Sequence, residues 1–194
     1  MFIISNNCIS GYIYRDIIKT QFPHPFIWSG IHGNDFITFL QDLENINYSN
    51  FELKKKQESL KVPNGWYIRI DDKINVDYIH MWFSPTDSIP RIHNNEVFYN
   101  KIWEYIVNKF TARLKRMKIE NPIVFIEDKR NEDDVLKAIE ICKAKHYKCF
   151  AFTNKLPECT SDTLVIRPHN LNTDEPNDYV KKYKNDIIEF LYHS

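Results

Sequence analysis

The amino-acid sequence predicts an α/β fold: a single domain over residues 1–194 with a mixed, mostly parallel sheet flanked by helices. Three observations predict it. Short apolar runs at residues 2–4, 123–126 and 163–166 have the length and composition of strands buried on both faces. Stretches with apolar residues at helical spacing alternate with those runs, the pattern of βαβ units. No internal repeat and no linker rich in Pro, Gly or Ser divides the chain.

In order, Phe2, Ile3 and Ile4 form the first strand. Ser5, Asn6 and Asn7 supply turn and capping chemistry. Ile9, Tyr12 or Ile13, and Ile17 then recur at helical spacing, to an end near Lys19. Residues 22–28 hold Phe22, Phe26, Trp28 and two prolines, an aromatic loop that cannot continue a helix. Asn34 and Asp35 precede Phe36, Phe39, Leu40 and Leu43, a capped amphipathic helix. Residues 45–57 are polar and read as a loop with a short strand, Lys54, Lys55 and Lys56 being a solvated face. Pro63-Asn64-Gly65 is a turn signal, and residues 66–70 and 76–83 are strands rich in β-formers, joined at Asp71-Asp72-Lys73 as an antiparallel hairpin. Pro85 and Pro90 enforce a loop that carries His93, Asn94 and Asn95. From Glu96 to about Lys118 the stripe of Val97, Ile102, Trp103, Ile106, Val107, Phe110 and Leu114 predicts a long helix, with Arg113, Lys115, Arg116 and Lys118 at the end that favours cations. After the strand at 123–126 come Glu127 and Asp128. A helix opened by Asp133 and Asp134, strands at 147–152 and 163–166, and a closing helix from Asp178 to Tyr192 complete the chain.

Composition excludes some function classes. Hydrophobic residues at 43% and charged residues at 27% suit a globular chain. The 26 basic residues balance 26 acidic ones, so no net attraction to nucleic acid or an anionic membrane surface follows. Only four glycines are present, too few for a Gly-rich phosphate loop, and 14% aromatic residues argue against low-complexity disorder. No apolar run reaches membrane-spanning length, and the N-terminus lacks a signal-peptide pattern. Cys8, Cys142, Cys149 and Cys159 form no CxxC, which predicts reduced thiols in a cytoplasmic protein. No metal-ligand spacing is present. The expectation is therefore no metal, no cofactor, no nucleic-acid partner and no transmembrane segment, with a small-molecule or sugar-bearing substrate; oligomeric state is not encoded.

Cys8 sits where a strand hands over to a helix, a position whose backbone N–H groups and dipole favour a thiolate. That predicts a nucleophile; a thiol that merely packs is the alternative. A cysteine nucleophile needs an imidazole and a group to orient it. His93, in a loop after a strand, is the first choice of base and His80 the second, His80 also being readable as a structural histidine on one strand face. Asn94, Asp128 or Glu127 could orient the imidazole, although Glu127 and Asp128 also read as an acidic helix start. Asn6 or Asn7, with the helix N–H groups, could stabilise an oxyanion. Trp28 lies in the loop that could wall a pocket beside Cys8. Arg113 and Arg116 lie about one turn apart and could grip a phosphate or carboxylate, or form a solvated helix end.

The opening from Ile3 to Asp16, with Ser5-Asn6-Asn7-Cys8 as its specific core, resembles an uncharacterised bacterial family of exopolysaccharide-biosynthesis proteins. A related family of papain-like cysteine peptidases is similar in the early cysteine, in a Pro-Phe-x-Trp segment (Pro25 to Trp28), in a histidine before a long helix (His93) and in an Arg-x-x-Arg helix end (Arg113, Arg116) before an apolar strand. This chain has Ile27 where those families often place aspartate, and Asn94 where they often place aspartate or tyrosine. The resemblance implies a cysteine-dependent transferase or hydrolase acting on a sugar-bearing substrate in surface-polysaccharide biosynthesis. Two alternatives stand beside it. One is a glycosyltransferase-like or sugar-nucleotide-binding protein in which Asn6, Asn7 and Arg15 contact the ligand without covalent chemistry. The other is a non-catalytic partner in a glycan-assembly complex.

Overall fold

The computed structural model describes residues 1–55, 66–77, 104, 107–128, 132–168 and 175–192. Its elements in chain order are β1 (Ile3–Ser5), α1 (Ile9–Ile13) running on into one π-helical turn (Tyr14–Ile18), α2 (Gly33–Asp42), β2 (Phe51–Lys55), β3 (Trp66–Ile70) and β4 (Ile74–Asp77). There follow α3 (107–114), β5 (Ile123–Glu127), α4 (Glu132–Ala144), β6 (Lys148–Phe152), β7 (Cys159–Thr160), β8 (Leu164–Arg167), α5 (Pro176–Lys182) and α6 (Lys184–Tyr192).

The main sheet has the order β1-β5-β6-β8-β7; its first four strands are parallel and β7 is an antiparallel edge. Side-chain alternation divides the core into two layers. Phe2, Ile4, Val124, Ile126, Cys149, Ala151 and Ile166 face α2, α4, Phe110 of α3 and the small sheet. Ile3, Phe125, Phe150, Phe152 and Val165 face α1, α5 and α6. Every residue of β5 is buried, as a central parallel strand covered by helices requires. Phe125 stacks on Phe150 with centroids 5.3 Å apart, and Phe190 of α6 meets Phe150 edge-on at 5.5 Å. The expected α/β architecture, mostly parallel with helices on both faces, is what forms.

The small sheet β2-β3-β4 is antiparallel, and a bridge between Gly30 and Asp77, with both hydrogen bonds at 2.7 Å, ties it to the loop before α2. Its tight turn puts Asp71 and Asp72 at φ of 52° and 53°, a conformation that short polar side chains tolerate better than branched ones.

Three details depart from the sequence reading. The closing helix is two helices, because Tyr183 leaves helical geometry (φ −105°, ψ 26°) while its hydroxyl donates to the Pro168 carbonyl at 2.8 Å. Strand β7 was not foreseen: it is two exposed residues, defined only by pairing with β8. The long basic helix ends at residue 114, and Lys115 and Arg116 lie in a turn. The start of that helix, the end of the second hairpin strand, and His80, His93 and Asn94 lie outside the described residues.

The amino terminus is anchored by Tyr14, 1% exposed, whose hydroxyl donates to the Met1 carbonyl (2.8 Å) and accepts from the Ile3 N–H (3.3 Å); burial pushes its ionisation up to about 12. His24 is wholly buried beside it, against Phe2 (4.5 Å), Tyr14 (5.8 Å) and Phe26 (6.1 Å). Neither ring nitrogen has a hydrogen-bond partner among the described residues. Burial lowers its pKa to about 3; a polar contact with the Ile3 backbone opposes the shift, and Arg113 and the terminal amine add to it. The folded chain thus holds His24 neutral, while the unfolded chain protonates it near pH 6.5. Its contribution to stability is complete above pH 6.5 and declines as pH falls from there toward 3, by about 1.4 kcal/mol per pH unit. His24→Leu should flatten the acid decline of the urea midpoint between pH 7 and 5 relative to wild type. Equal slopes in the two proteins would show that another group governs it.

Candidate active site at the carboxyl edge of the sheet

Open parallel sheets bind ligands beyond the carboxyl ends of their strands. At that edge β1 passes into Asn6-Asn7-Cys8, β5 into Asp128, β6 into Thr153 and β8 into Pro168.

The turn that presents Cys8 is built by the three polar side chains before it. Ser5 donates its hydroxyl to the Asn7 carbonyl (2.5 Å) and accepts from the Ser10 N–H (3.1 Å). Asn6 joins the neighbouring strand: its Nδ2 donates to the Glu127 carbonyl (2.8 Å) and its Oδ1 accepts from the Glu127 N–H (3.0 Å). Asn7 Oδ1 accepts from the Ile9 N–H at 2.9 Å, and the Cys8 carbonyl takes the Gly11 N–H at 3.0 Å. The amide of Asn6 is therefore committed to loop shape, as are the N–H groups of Ile9, Ser10 and Gly11. Cys8 itself is half-buried, and no disulfide links the four cysteines.

Along the first helix, after that turn, the structure gathers several of the residues singled out above. Tyr12, one helical turn after Cys8, has its ionisation raised mainly by burial and next by the proximity of Cys8. Trp28 meets Tyr12 edge-on at 4.7 Å and lies so close to Gly11 that a β-carbon there would sit 2.2 Å from its ring. Trp28 has φ of 65°, a strained conformation for a bulky residue, of the kind that clusters at functional sites. The Arg15 guanidinium lies 4.9 Å from the Tyr12 ring centre and 5.6 Å from that of Trp28. It also forms a two-point ion pair with Asp16 at 2.6 and 2.7 Å, which holds the Asp16 carboxyl below its usual range. Phe22 extends this wall, 6.5 Å from Trp28. Arg113 lies 5.4 Å from the Phe22 ring centre, and Arg116 donates to the Phe22 carbonyl at 3.4 Å. Arg113 and Arg116 thus converge on the aromatic loop.

Asp128 stands apart from this wall. It is 3% exposed, accepts from the Thr153 hydroxyl at 3.0 Å and lies 3.9 Å from the Lys155 ammonium. Tyr12, Thr153 and Lys155 were not singled out from the sequence. Tyr12 was accessible from its spacing of four from Cys8 on a helix; Thr153 and Lys155 were not, because they reach Asp128 only through strand pairing. A separate cavity of about 240 Å³ lies by β7, β8 and α6, where Arg167 is already bonded to Asp186 and Thr160, each at 3.1 Å. Among the described residues no cluster of His, Cys, Asp and Glu could hold a metal, and no helix is long and apolar enough to cross a membrane.

Gly11→Ala would force the Trp28 ring off α1. It should destabilise the protein by about 1–3 kcal/mol in urea unfolding and change Trp fluorescence. A native-like spectrum and midpoint would show that the contact can relax freely.

No curated protein matches the chain. A family model described as a domain of unknown function (DUF1919) matches residues 1–190, and the chain belongs to that family.

Proposed function

We propose that the protein is a cysteine-dependent transferase or hydrolase acting on a sugar-bearing substrate, with Cys8 as nucleophile and an imidazole, His93 or else His80, as base. One observation carries this reading. Ser5, Asn6 and Asn7 all commit their side chains to shaping the turn that presents a half-buried thiol at the carboxyl edge of the sheet. A thiol that only filled space would need no such framework, whereas a nucleophile gains from a fixed geometry.

In the reaction, the thiolate forms an Sγ–C bond to an acyl or glycosyl carbon. The leaving oxygen takes the proton that the imidazole removed from Cys8. Water or an acceptor hydroxyl then displaces the sulfur, and its proton returns through the imidazole. Trp28, Tyr12 and Phe22 offer ring faces and edges to a saccharide, and Arg113, Arg116 and Arg15 offer charge to an anionic group on it. The resemblance to exopolysaccharide-biosynthesis proteins supports the sugar-bearing substrate. The rival, a sugar-nucleotide-binding protein without covalent chemistry, uses the same wall and leaves Cys8 idle.

Iodoacetamide labelling across pH separates the two, measured in a Cys159→Ser background because Cys159 is exposed. Cys8 should react with an apparent pKa below the ordinary value of about 8.5, and Cys8→Ala should abolish turnover while leaving sugar-nucleotide binding intact. A Cys8 that is inert in the native protein would support the rival. Asn6→Ala should slow Cys8 labelling at pH 7 several-fold and destabilise the protein by about 1–3 kcal/mol, since it strands the Glu127 backbone groups. Unchanged labelling would show that the clamp does not position the thiol.

A further inference from the structure

Two of the four cysteines meet inside the fold. Cys142 lies on the last turn of α4 and Cys149 near the start of β6, and both belong to the apolar layer between that helix and the sheet. Cys142 is 0% exposed and Cys149 2%. Their side chains hydrogen-bond to each other; that bond and burial hold the Cys149 thiol well above its ordinary range. A single buried cysteine packs as a small hydrophobe. A facing pair has a reaction open to it that one thiol lacks.

The backbone between the two is fixed by a helix-ending motif. His146 takes a left-handed conformation, with φ of 56°. The Tyr147 N–H donates to the Cys142 carbonyl at 2.8 Å, and the His146 N–H to the Lys143 carbonyl at 3.2 Å. These reverse bonds end the helix and turn the chain straight back from α4 into β6. Pairing of β6 with β5 and β8 then sets Cys149 level with Val124 and Leu164. Both thiols are thus held by ordered backbone. From hydrogen-bond contact, closure to the disulfide length of about 2.05 Å is an adjustment of side chains and not a relocation of the chain.

We propose that Cys142 and Cys149 form a redox-sensitive staple: hydrogen peroxide oxidises the pair to an intramolecular disulfide that pins α4 to β6. Peroxide is small enough to reach sulfurs that are sealed from bulky reagents. Cys149 keeps its proton, so the Cys142 sulfur attacks one peroxide oxygen. The O–O bond breaks, the Cys142 proton leaves in a first water, and Cys142 becomes a sulfenic acid. The Cys149 sulfur then displaces the hydroxyl, which leaves as a second water with the Cys149 proton. Two thiols and one peroxide become one disulfide and two waters. The bond closes the loop from Cys142 to Cys149, which restricts the unfolded chain. Cys149 is near the amino end of β6 and Cys8 lies beyond the carboxyl end of β1, so the staple works whether or not Cys8 reacts.

The test uses the full chain carrying Cys8→Ala and Cys159→Ser, so that only the pair remains. Peroxide treatment, then N-ethylmaleimide in denaturant, should yield a monomer that has lost two hydrogens and takes up no maleimide. Its melting temperature should rise by about 5 °C and return on reduction with dithiothreitol. Adding Cys142→Ser should leave Cys149 open to maleimide after the same peroxide dose. Maleimide uptake at both thiols after peroxide, oxygen retained on the sulfurs, disulfide-linked dimers, or a disulfide that lowers the melting temperature overturns the proposal. If the background variant does not fold, peptide mapping of peroxide-treated wild type reads the same bond. A linked Cys142–Cys149 peptide supports the staple, and its absence overturns it.

Discussion

The paired hydrogen bonds between the Asn6 side chain and the backbone of Glu127 are the constraint on which the edge of this molecule depends. β1 has only three residues and lies at the border of the sheet. A strand so short has little ladder to hold its end in place. By offering one donor and one acceptor, the Asn6 amide imitates a further peptide unit and carries the parallel pairing one step beyond Ser5. The chain can then turn into α1 without leaving the Glu127 N–H and carbonyl unmatched at a buried position, where each would cost about 1–3 kcal/mol.

That clamp also explains how close packing follows on the outer side. With the start of α1 fixed against β5, Gly11 faces the aromatic loop, and the missing side chain lets the Trp28 ring lie against the helix backbone. Trp28 accepts a left-handed backbone there, offset by contacts with Gly11 and Tyr12. Arg15 covers the two rings and is itself anchored by Asp16. The wall continues through Phe22 to Arg113 and Arg116, residues from a distant helix end. Ring surfaces and guanidinium groups are thereby assembled along the first helix and the aromatic loop, with Arg113 also acting on the buried His24. The opposite layer, lined by α2, α4 and the small sheet, is apolar and contributes support.

Much of the fold was legible in the chain because its signals are local. The apolar run before Ser5-Asn6-Asn7, the helical period after Cys8 and the turn at Asp71-Asp72-Lys73 each depend on neighbours within a few residues, and each element formed where those signals placed it. The closing helix was legible as an apolar stripe but not as two helices, since the apolar period runs on through Tyr183, where the backbone leaves helical geometry. Strand β7 had no signal of its own. At the site, the position of Cys8 was legible from residues beside it, whereas the commitment of the Asn6 amide to Glu127 was not, because its partner is 121 residues distant.

Periodicity, capping and turn chemistry act over short distances, so the residues alone place most of the strands and helices and put a cysteine at the first strand-to-helix turn. That β1 lies beside β5, that the Asn6 amide meets the Glu127 backbone, and that Arg113 and Arg116 reach Phe22 emerges only in the folded chain. Parallel pairing is made by backbone groups that every residue shares, so side-chain identity alone does not choose the neighbour. The choice follows from how both faces of the sheet can be covered at once.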